Sequence, residues 1–374
     1  MKKVIIFYAS YGGGHLSAAK SIKEYIDNNF PDVVSELIDC INYINKGLDK
    51  TTTSAYKFMA KNSPKLWGNI YNNSQKGILS KISNGANRFL ASKLYHLFEE
   101  KNPDIIISTH PFGSQMTSYL KQTGKVNCTL ASILTDFAPH DQWLVGNEFI
   151  DYFFVAHDGM KYSLIDSGIP ESKIFATGIP ISSRFLKKYD KNEIFNLFEL
   201  NPNKKVILFF GGGEFGLGKD RTISIFKFLC QNTDKYQIIA ISGKNKKMKE
   251  KFNSLITNEN KKDVKLFEYT NKIPELMNIS SLVITKPGGL TSSESLASNL
   301  PIIIINPLPG QEEQNATFLE SSGAAIWIKN DDNIEEIITS ILNDSSKQNQ
   351  MRNFSKNIGC PDSCKSICEI VLSI

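Results

Sequence analysis

Lys3-Val4-Ile5-Ile6-Phe7-Tyr8-Ala9-Ser10-Tyr11-Gly12-Gly13-Gly14-His15 begins as an apolar run and ends in glycines. Lys3 to Tyr8 reads as a strand and Ser17 to Asn28 as a helix, so the glycines occupy a strand-to-helix turn. Asp104 to Ser108, Cys128 to Leu134 and Tyr152 to Ala156 read as further strands. The pattern restarts at Lys205 to Phe210, followed by Gln237 to Ile241, Leu282 to Thr285 and Pro301 to Asn306, with helix-forming stretches between. Continuous Val/Ile/Phe runs, rather than strict alternation, fit strands buried on both faces of a parallel sheet. Strand-helix repetition twice over predicts an α/β protein of two doubly wound domains. The boundary is expected after Gly178-Ile179-Pro180, giving domains 1–180 and 181–346. The helical segment 347–374 could pack on either of them.

Composition agrees with this class. The chain has 374 residues, 41% hydrophobic and 22% charged, beyond what one core usually serves. No apolar run reaches the roughly 18 residues needed to cross a bilayer. The apolar start is too short for a signal peptide and leads into glycines, so it reads as the first buried strand of a cytoplasmic protein. Cys360, Cys364 and Cys368 share one helix face, but a metal site wants a fourth ligand and a tighter pair. They read as a small apolar packing face.

The net charge of +5 is unevenly placed. From Ile44 to Tyr95 the bases are Lys46, Lys50, Lys57, Lys61, Lys65, Lys76, Lys81, Arg88 and Lys93, and the only acid is Asp49. Tyr56, Phe58, Trp67 and Tyr71 are interleaved. Such a segment suits an anionic surface, whether membrane headgroups or nucleic acid, or else a solvated region whose aromatics pack inward. No nucleic-acid-binding motif accompanies it.

Four loops carry the candidate chemistry. In Tyr11-Gly12-Gly13-Gly14-His15, glycines let the backbone approach a ligand, the following helix N-terminus favours anions, and His15 is placed for proton transfer. The spacing matches neither a dinucleotide fingerprint nor a P-loop. Gly211 to Gly218 repeats the device after a strand with five glycines in eight positions, Gly213 among them. Thr285-Lys286-Pro287-Gly288-Gly289-Leu290-Thr291-Ser292-Ser293-Glu294 is a strand end, a tight turn and a helix start. Its N–H groups, with the Thr291 and Ser292 hydroxyls, would bind a phosphate, and Glu294 could accept two hydrogen bonds from a vicinal diol. Pro307-Leu308-Pro309-Gly310-Gln311-Glu312-Glu313-Gln314-Asn315-Ala316 clusters polar amides and carboxylates after a strand, which suits the many hydroxyls of a sugar.

Together with Thr135-Asp136-Phe137 and Thr177-Gly178-Ile179-Pro180, these segments resemble the family of monogalactosyldiacylglycerol synthases and processive diacylglycerol glucosyltransferases. That family is related to the peptidoglycan lipid-intermediate transferase. The resemblance covers nearly the whole chain. Lys-Pro-Gly-Gly-Leu-Thr and Pro-Gly-Gln-Glu, in that order and spacing, are its most specific marks. It implies a GT-B fold, in which two Rossmann-like domains face each other across a cleft and a C-terminal helix crosses back to the first. It implies an inverting transferase that moves glucose or galactose from a UDP-hexose to diacylglycerol, with no metal and no cofactor.

By the same resemblance, His15 is the candidate base and Asp136 orients it or the acceptor. Gly13 and Gly14 lie on the acceptor side. Tyr269 and Thr270 present backbone to uracil. Gly288, Gly289, Leu290 and Thr291 lie by the diphosphate, Glu294 holds the ribose, and Gln311 and Glu312 contact the sugar. The basic-aromatic segment, with Lys57, Lys61, Lys65 and Trp67, falls where the family engages its lipid. It implies peripheral attachment to the inner face of the cell membrane. The sequence departs from the pattern after Ile181, where family members often carry an arginine. Here Ser182 and Ser183 come first and the arginine is Arg184. Rival readings are a UDP-sugar 2-epimerase of the same fold, a transferase for a polyprenyl-linked sugar or small metabolite, and a non-enzymatic UDP-sugar sensor.

Overall fold

The computed structural model describes residues 1–10, 13–44, 91, 93–211, 219–243, 245–329 and 332–373. Gly213, Lys57, Lys61, Lys65 and Trp67 lie outside the described residues. The chain divides into two compact units, Met1–Ser183 with Cys360–Ile374, and Arg184–Gly359.

The first unit holds β1 (Lys2–Tyr8), β2 (Val33–Asp39), β3 (Ile105–Ser108), β4 (Thr129–Ile133), β5 (Tyr152–Val155) and β6 (Ile174–Ala176) in the order β2-β1-β3-β4-β5-β6. The second holds β7 (Lys205–Phe210), β8 (Tyr236–Ile241), β9 (Val264–Phe267), β10 (Leu282–Thr285), β11 (Ile302–Ile304) and β12 (Ala325–Trp327) in the order β12-β11-β10-β7-β8-β9. Every pairing is parallel. Parallel neighbours need crossovers, and helices such as Gly14–Asn29, Pro111–Gln122, Gly289–Ala297 and Gln311–Ser321 supply them. The central strands are buried on both faces, as Val4 to Phe7 and Val206 to Phe209 show with exposures of 3% or less.

These strand orders contain one switch point in each sheet. In the first sheet the direction of winding reverses between β1 and β3, and in the second between β7 and β10. Open α/β sheets bind ligands outside the carboxyl ends of their strands at such switch points. The loops there are those following Tyr8, Ser108, Phe210 and Thr285.

The return of the chain to the first unit starts later than residue 347. Helix Ser345–Ile358 belongs to the second unit, where the Ser355 hydroxyl donates to the Leu300 carbonyl at 3.2 Å. Only Cys360–Ile374 rejoins the first. Helix Ser363–Leu372 buries Cys364, Ile367, Cys368 and Val371 against Val4, Ile6 and Ile22 in one core cluster. Two of the three patterned cysteines are therefore apolar packing. The Ser363 hydroxyl and the Cys364 thiol donate to the Ile179 and Ile181 carbonyls at 3.0 and 3.2 Å.

This seam explains Gly178. Its φ is +83°, and a Cβ there would stand 2.2 Å from the Cys360 Cβ. Both the left-handed backbone and the overlap penalise any side chain, so Gly178→Ala should lower stability by about 2–4 kcal/mol. Denaturant unfolding would read this as a lower midpoint at unchanged slope. A loss well below 1 kcal/mol would mean that the seam opens freely.

Candidate functional site

In the first unit the switch point gathers histidines. Gly13 caps helix Gly14–Asn29, which puts His15 in its first turn. The His15 Nδ1 lies 2.7 Å from the Thr109 carbonyl oxygen and 3.0 Å from the Thr135 hydroxyl. A carbonyl only accepts, so Nδ1 carries the proton and donates, leaving the Nε2 lone pair as the acceptor of the ring. Thr109 is itself locked, with its hydroxyl within 3.1 Å of the Phe7 carbonyl and 2.9 Å of the His15 carbonyl.

The His110 ring stands edge-on to His15 with centroids 4.7 Å apart, and its Nδ1 accepts from the Phe112 N–H. His140 caps the next short turn in the same way through Gln142. The His157 Nε2–H donates to the Phe137 carbonyl at 2.9 Å, which fixes the Thr135-Asp136-Phe137 loop beyond β4. Burial pulls the His15 and His140 pKa values down to about 4. It pulls His110 well below the ordinary value, with charge on His15 and His140 adding to the effect. His157 is lowered too, mainly by burial. The group is built to stay neutral.

In the second unit, Lys286-Pro287 leaves β10 and Gly288 caps helix Gly289–Ala297 without any side-chain cap. The helix N–H groups are thus available to an anion. Glu294 lies one turn in, half-buried, and among the described residues no side chain or backbone group bonds its carboxylate. Burial alone raises its pKa to about 8. Lys286 is half-buried as well. Burial lowers its pKa, and the nearby Glu312 carboxylate opposes the shift.

The Glu312 carboxylate is raised by burial, held back by Lys286, and accepts from the Leu308 N–H at 2.6 Å. Gly310 turns the chain into helix Gln311–Ser321 with a φ of +95°, which glycine adopts freely. Asn315, fully buried, donates to the Pro287 carbonyl at 3.0 Å and so joins the two loops.

The structure thus brings Gly288, Gly289, Leu290, Thr291, Glu294 and Glu312 around one switch point, with Gln311 opening the adjoining helix. It does not offer every expected group. The Ser292 hydroxyl is fully buried and unpaired, turned into the core rather than toward a phosphate. The Leu290 side chain is buried, so only its backbone faces a ligand. Tyr269 is 78% exposed on the loop after β9, with Thr270 beside it. Sequence reasoning gave no role to Thr109, His110 and His140 around His15 or to Lys286 in the second unit, and it set Asn315 among the sugar-facing amides, whereas the structure buries it against the Pro287 carbonyl.

Residues 15–181 match the monogalactosyldiacylglycerol (MGDG) synthase family, and residues 206–363 match the glycosyltransferase family 28 C-terminal domain. The chain is 32% identical over 375 residues to a processive diacylglycerol beta-glucosyltransferase of Bacillus cereus (strain G9842), covering 99% of this chain and 93% of that one. Among solved structures, the UDP-GlcNAc 2-epimerase from Neisseria meningitidis bound to UDP-GlcNAc aligns over 100% of both chains with a TM-score of 0.66 at 16% identity. MurG from Acinetobacter baumannii aligns over 100% of both chains with a TM-score of 0.66 at 11% identity. Two six-stranded parallel sheets with this likeness define the GT-B fold. The chain belongs to the diacylglycerol glycosyltransferase family of monogalactosyldiacylglycerol synthases and processive diacylglycerol glucosyltransferases.

Proposed function

We propose that this protein transfers a hexose from a UDP-sugar to the hydroxyl of diacylglycerol, inverting the anomeric carbon. The observation that carries the donor half is Glu294. It is an unengaged carboxylate one turn beyond an uncapped helix N-terminus at the sheet's switch point. Such a pair fits a nucleoside diphosphate, with N–H groups for the phosphates and a carboxylate for the ribose diol. Tyr269 and Thr270 would present backbone to uracil, and Gln311 and Glu312 would meet the sugar. The lipid acceptor is supported by the family, and glucose as the transferred sugar by the activity named for its relatives.

In the reaction the acceptor hydroxyl attacks the anomeric carbon. The new C–O bond forms as the bond from that carbon to the β-phosphate oxygen breaks. The His15 Nε2 takes the hydroxyl proton, and Asp136 orients the acceptor. UDP leaves with the charge of the broken bond. The N–H groups of Gly289, Leu290 and Thr291, with the Lys286 ammonium, stabilise that charge, so the chemistry needs no metal or other cofactor.

Gly13 and Gly14 let the acceptor headgroup approach the backbone. Among the described residues no helix is long and apolar enough to cross a membrane. Attachment to an anionic bilayer surface is assigned to the basic segment. Reversing the charges of Lys57, Lys61 and Lys65 should weaken binding to anionic vesicles and flatten its salt dependence. Unchanged binding in a flotation assay would return that segment to a solvated role.

The function is tested with vesicles containing diacylglycerol and anionic lipid, radiolabelled UDP-glucose or UDP-galactose, and label followed into the organic phase. Label is expected from UDP-glucose. Faster transfer from UDP-galactose would reassign the sugar. Transfer from neither, with UDP binding intact, would replace the acceptor or make the protein a sensor.

A further inference from the structure

We propose that Arg184 is a positioning residue for the loop that reads the donor's base, and not a ligand of its diphosphate. The proposal rests on the reading of Tyr269 and Thr270 as the uracil-facing backbone. Arg184 is the first residue of the second unit. Its Nη1 donates to the Asn271 carbonyl at 2.6 Å, and its Nη2 donates to both carboxylate oxygens of Glu275 at 2.9 and 3.0 Å. The Glu275 side chain is only 10% exposed, and the Lys272 ammonium also lies 3.3 Å from its Oε1. The Tyr189 hydroxyl donates to the Arg184 carbonyl at 2.9 Å, which fixes the backbone from which the arm extends.

The loop between β9 and helix Ile273–Ile279 needs such a clamp. Glu268, Tyr269 and Asn271 are all exposed, so no apolar packing holds them. Among the described residues the loop's own restraints are light: the Thr270 hydroxyl accepts from the Lys272 N–H at 3.1 Å, and the exposed Glu268 carboxylate pairs with the Lys249 ammonium at 3.1 Å. Arg184 ties this loop at two points, the Asn271 carbonyl and Glu275 in the first turn of the helix beyond. A planar guanidinium bonds a carboxylate and a carbonyl at fixed angles, which lysine does not reproduce. A loop held before the ligand arrives loses less conformational freedom on binding. The same contacts argue against a phosphate role. The Arg184 charge is already countered by a nearly buried carboxylate, and drawing the guanidinium toward a phosphate would strip Glu275 of its main partner.

The test compares uridine with UDP. A clamp on the base loop acts on both ligands alike, whereas a phosphate ligand acts on UDP alone. Arg184→Ala should raise Kd for uridine and for UDP by the same factor, about tenfold. Arg184→Lys, which keeps the charge and guards against a folding defect, should lose a similar factor. Glu275→Gln should reproduce part of the loss, and the double variant should be no worse than Arg184→Ala. Hydrogen exchange of the amides in 268–272 should quicken in Arg184→Ala.

A loss confined to UDP would make Arg184 a phosphate ligand. Unchanged exchange in 268–272 would remove the clamp. If the unmodified protein bound neither uridine nor UDP, the donor-site reading itself would fall, while exchange would still report on the clamp.

Discussion

His15→Ala lowers kcat for transfer to diacylglycerol by about 10²-fold or more and leaves UDP affinity nearly unchanged. The expectation follows from the tautomer. With Nδ1–H held by the Thr109 carbonyl at 2.7 Å, the only lone pair of the ring is on Nε2, which is therefore the atom of His15 that can take a proton. Removing the ring leaves the donor-holding groups of the second unit intact, so binding and chemistry should separate. Full activity in the variant would end the assignment.

The pH profile gives an independent check. A base must be unprotonated to act. Burial sets His15 at about 4, so it is ready throughout the neutral range. The kcat profile should therefore be flat down to about pH 5 and fall only as pH approaches 4. An acid limb centred near the ordinary histidine value of 6.5 would show that another group is the base. Stability should respond differently. Between about 6.5 and 4 the unfolded chain binds protons that His15 and His140 in the native state do not, so the first unit loses stability as pH falls through that window. His110 and His157 are shifted in the same direction and add to the loss.

Position in the sheets governs what the sequence could reveal. All eight strands read from apolar runs are interior strands. The four missed, β2, β6, β9 and β12, are the four edges. An edge strand has only one neighbour and tolerates polar residues. β2 carries Ser35, Glu36 and Asp39 and alternates in burial, β9 carries Lys265, and β6 and β12 have three residues each. Nothing in such runs announces a parallel sheet.

The site was legible in the same local way. Glycine turns and the helix starts after them mark His15, Gly288 and Glu294. Contacts made by topology leave no local trace. Thr109 reaches His15 from 94 residues away because β3 lies beside β1. Ser292 misled because hydroxyl residues at a helix start suggest a phosphate. Yet Gly289, Ser292 and Leu296 recur at i, i+3 and i+7, the buried stripe of a helix. Arg184 was noticed only as a displaced family arginine. Its partner Glu275 lies 91 residues on, in a helix that the apolar pattern does not single out.

The pH dependence of donor binding should turn on Glu294. In the free protein burial raises its pKa to about 8, so at pH 7 the carboxyl is mostly protonated. Ribose hydroxyls donate to a carboxylate best when it is ionised, so the ligand favours the charged form and lowers the pKa in the complex. UDP binding should then release protons near neutrality. Affinity should rise with pH, by up to about tenfold per unit, and level off above pH 8. Calorimetry at one pH in buffers of different ionisation enthalpy would count the protons. A proton count of zero together with a flat affinity profile would remove Glu294 from the ribose.

The variants sharpen the argument. Two hydrogen bonds to a charged group are worth about 3 kcal/mol, so Glu294→Ala should raise the Kd for UDP by about 10²-fold at pH 8.5 and by less at pH 6.5. Glu294→Gln keeps an acceptor, should lose less, and should abolish the pH slope. Stability should move the opposite way. A carboxyl whose folded pKa lies above its unfolded value of about 4.5 keeps its full stability below that value and loses it as pH rises toward 8. Glu294→Gln should therefore gain stability over the unmodified protein with increasing pH. Burial alone accounts for the stability loss, which a purely structural carboxylate would share; the coupled gain in UDP affinity is the part that only a ligand-contacting carboxylate supplies.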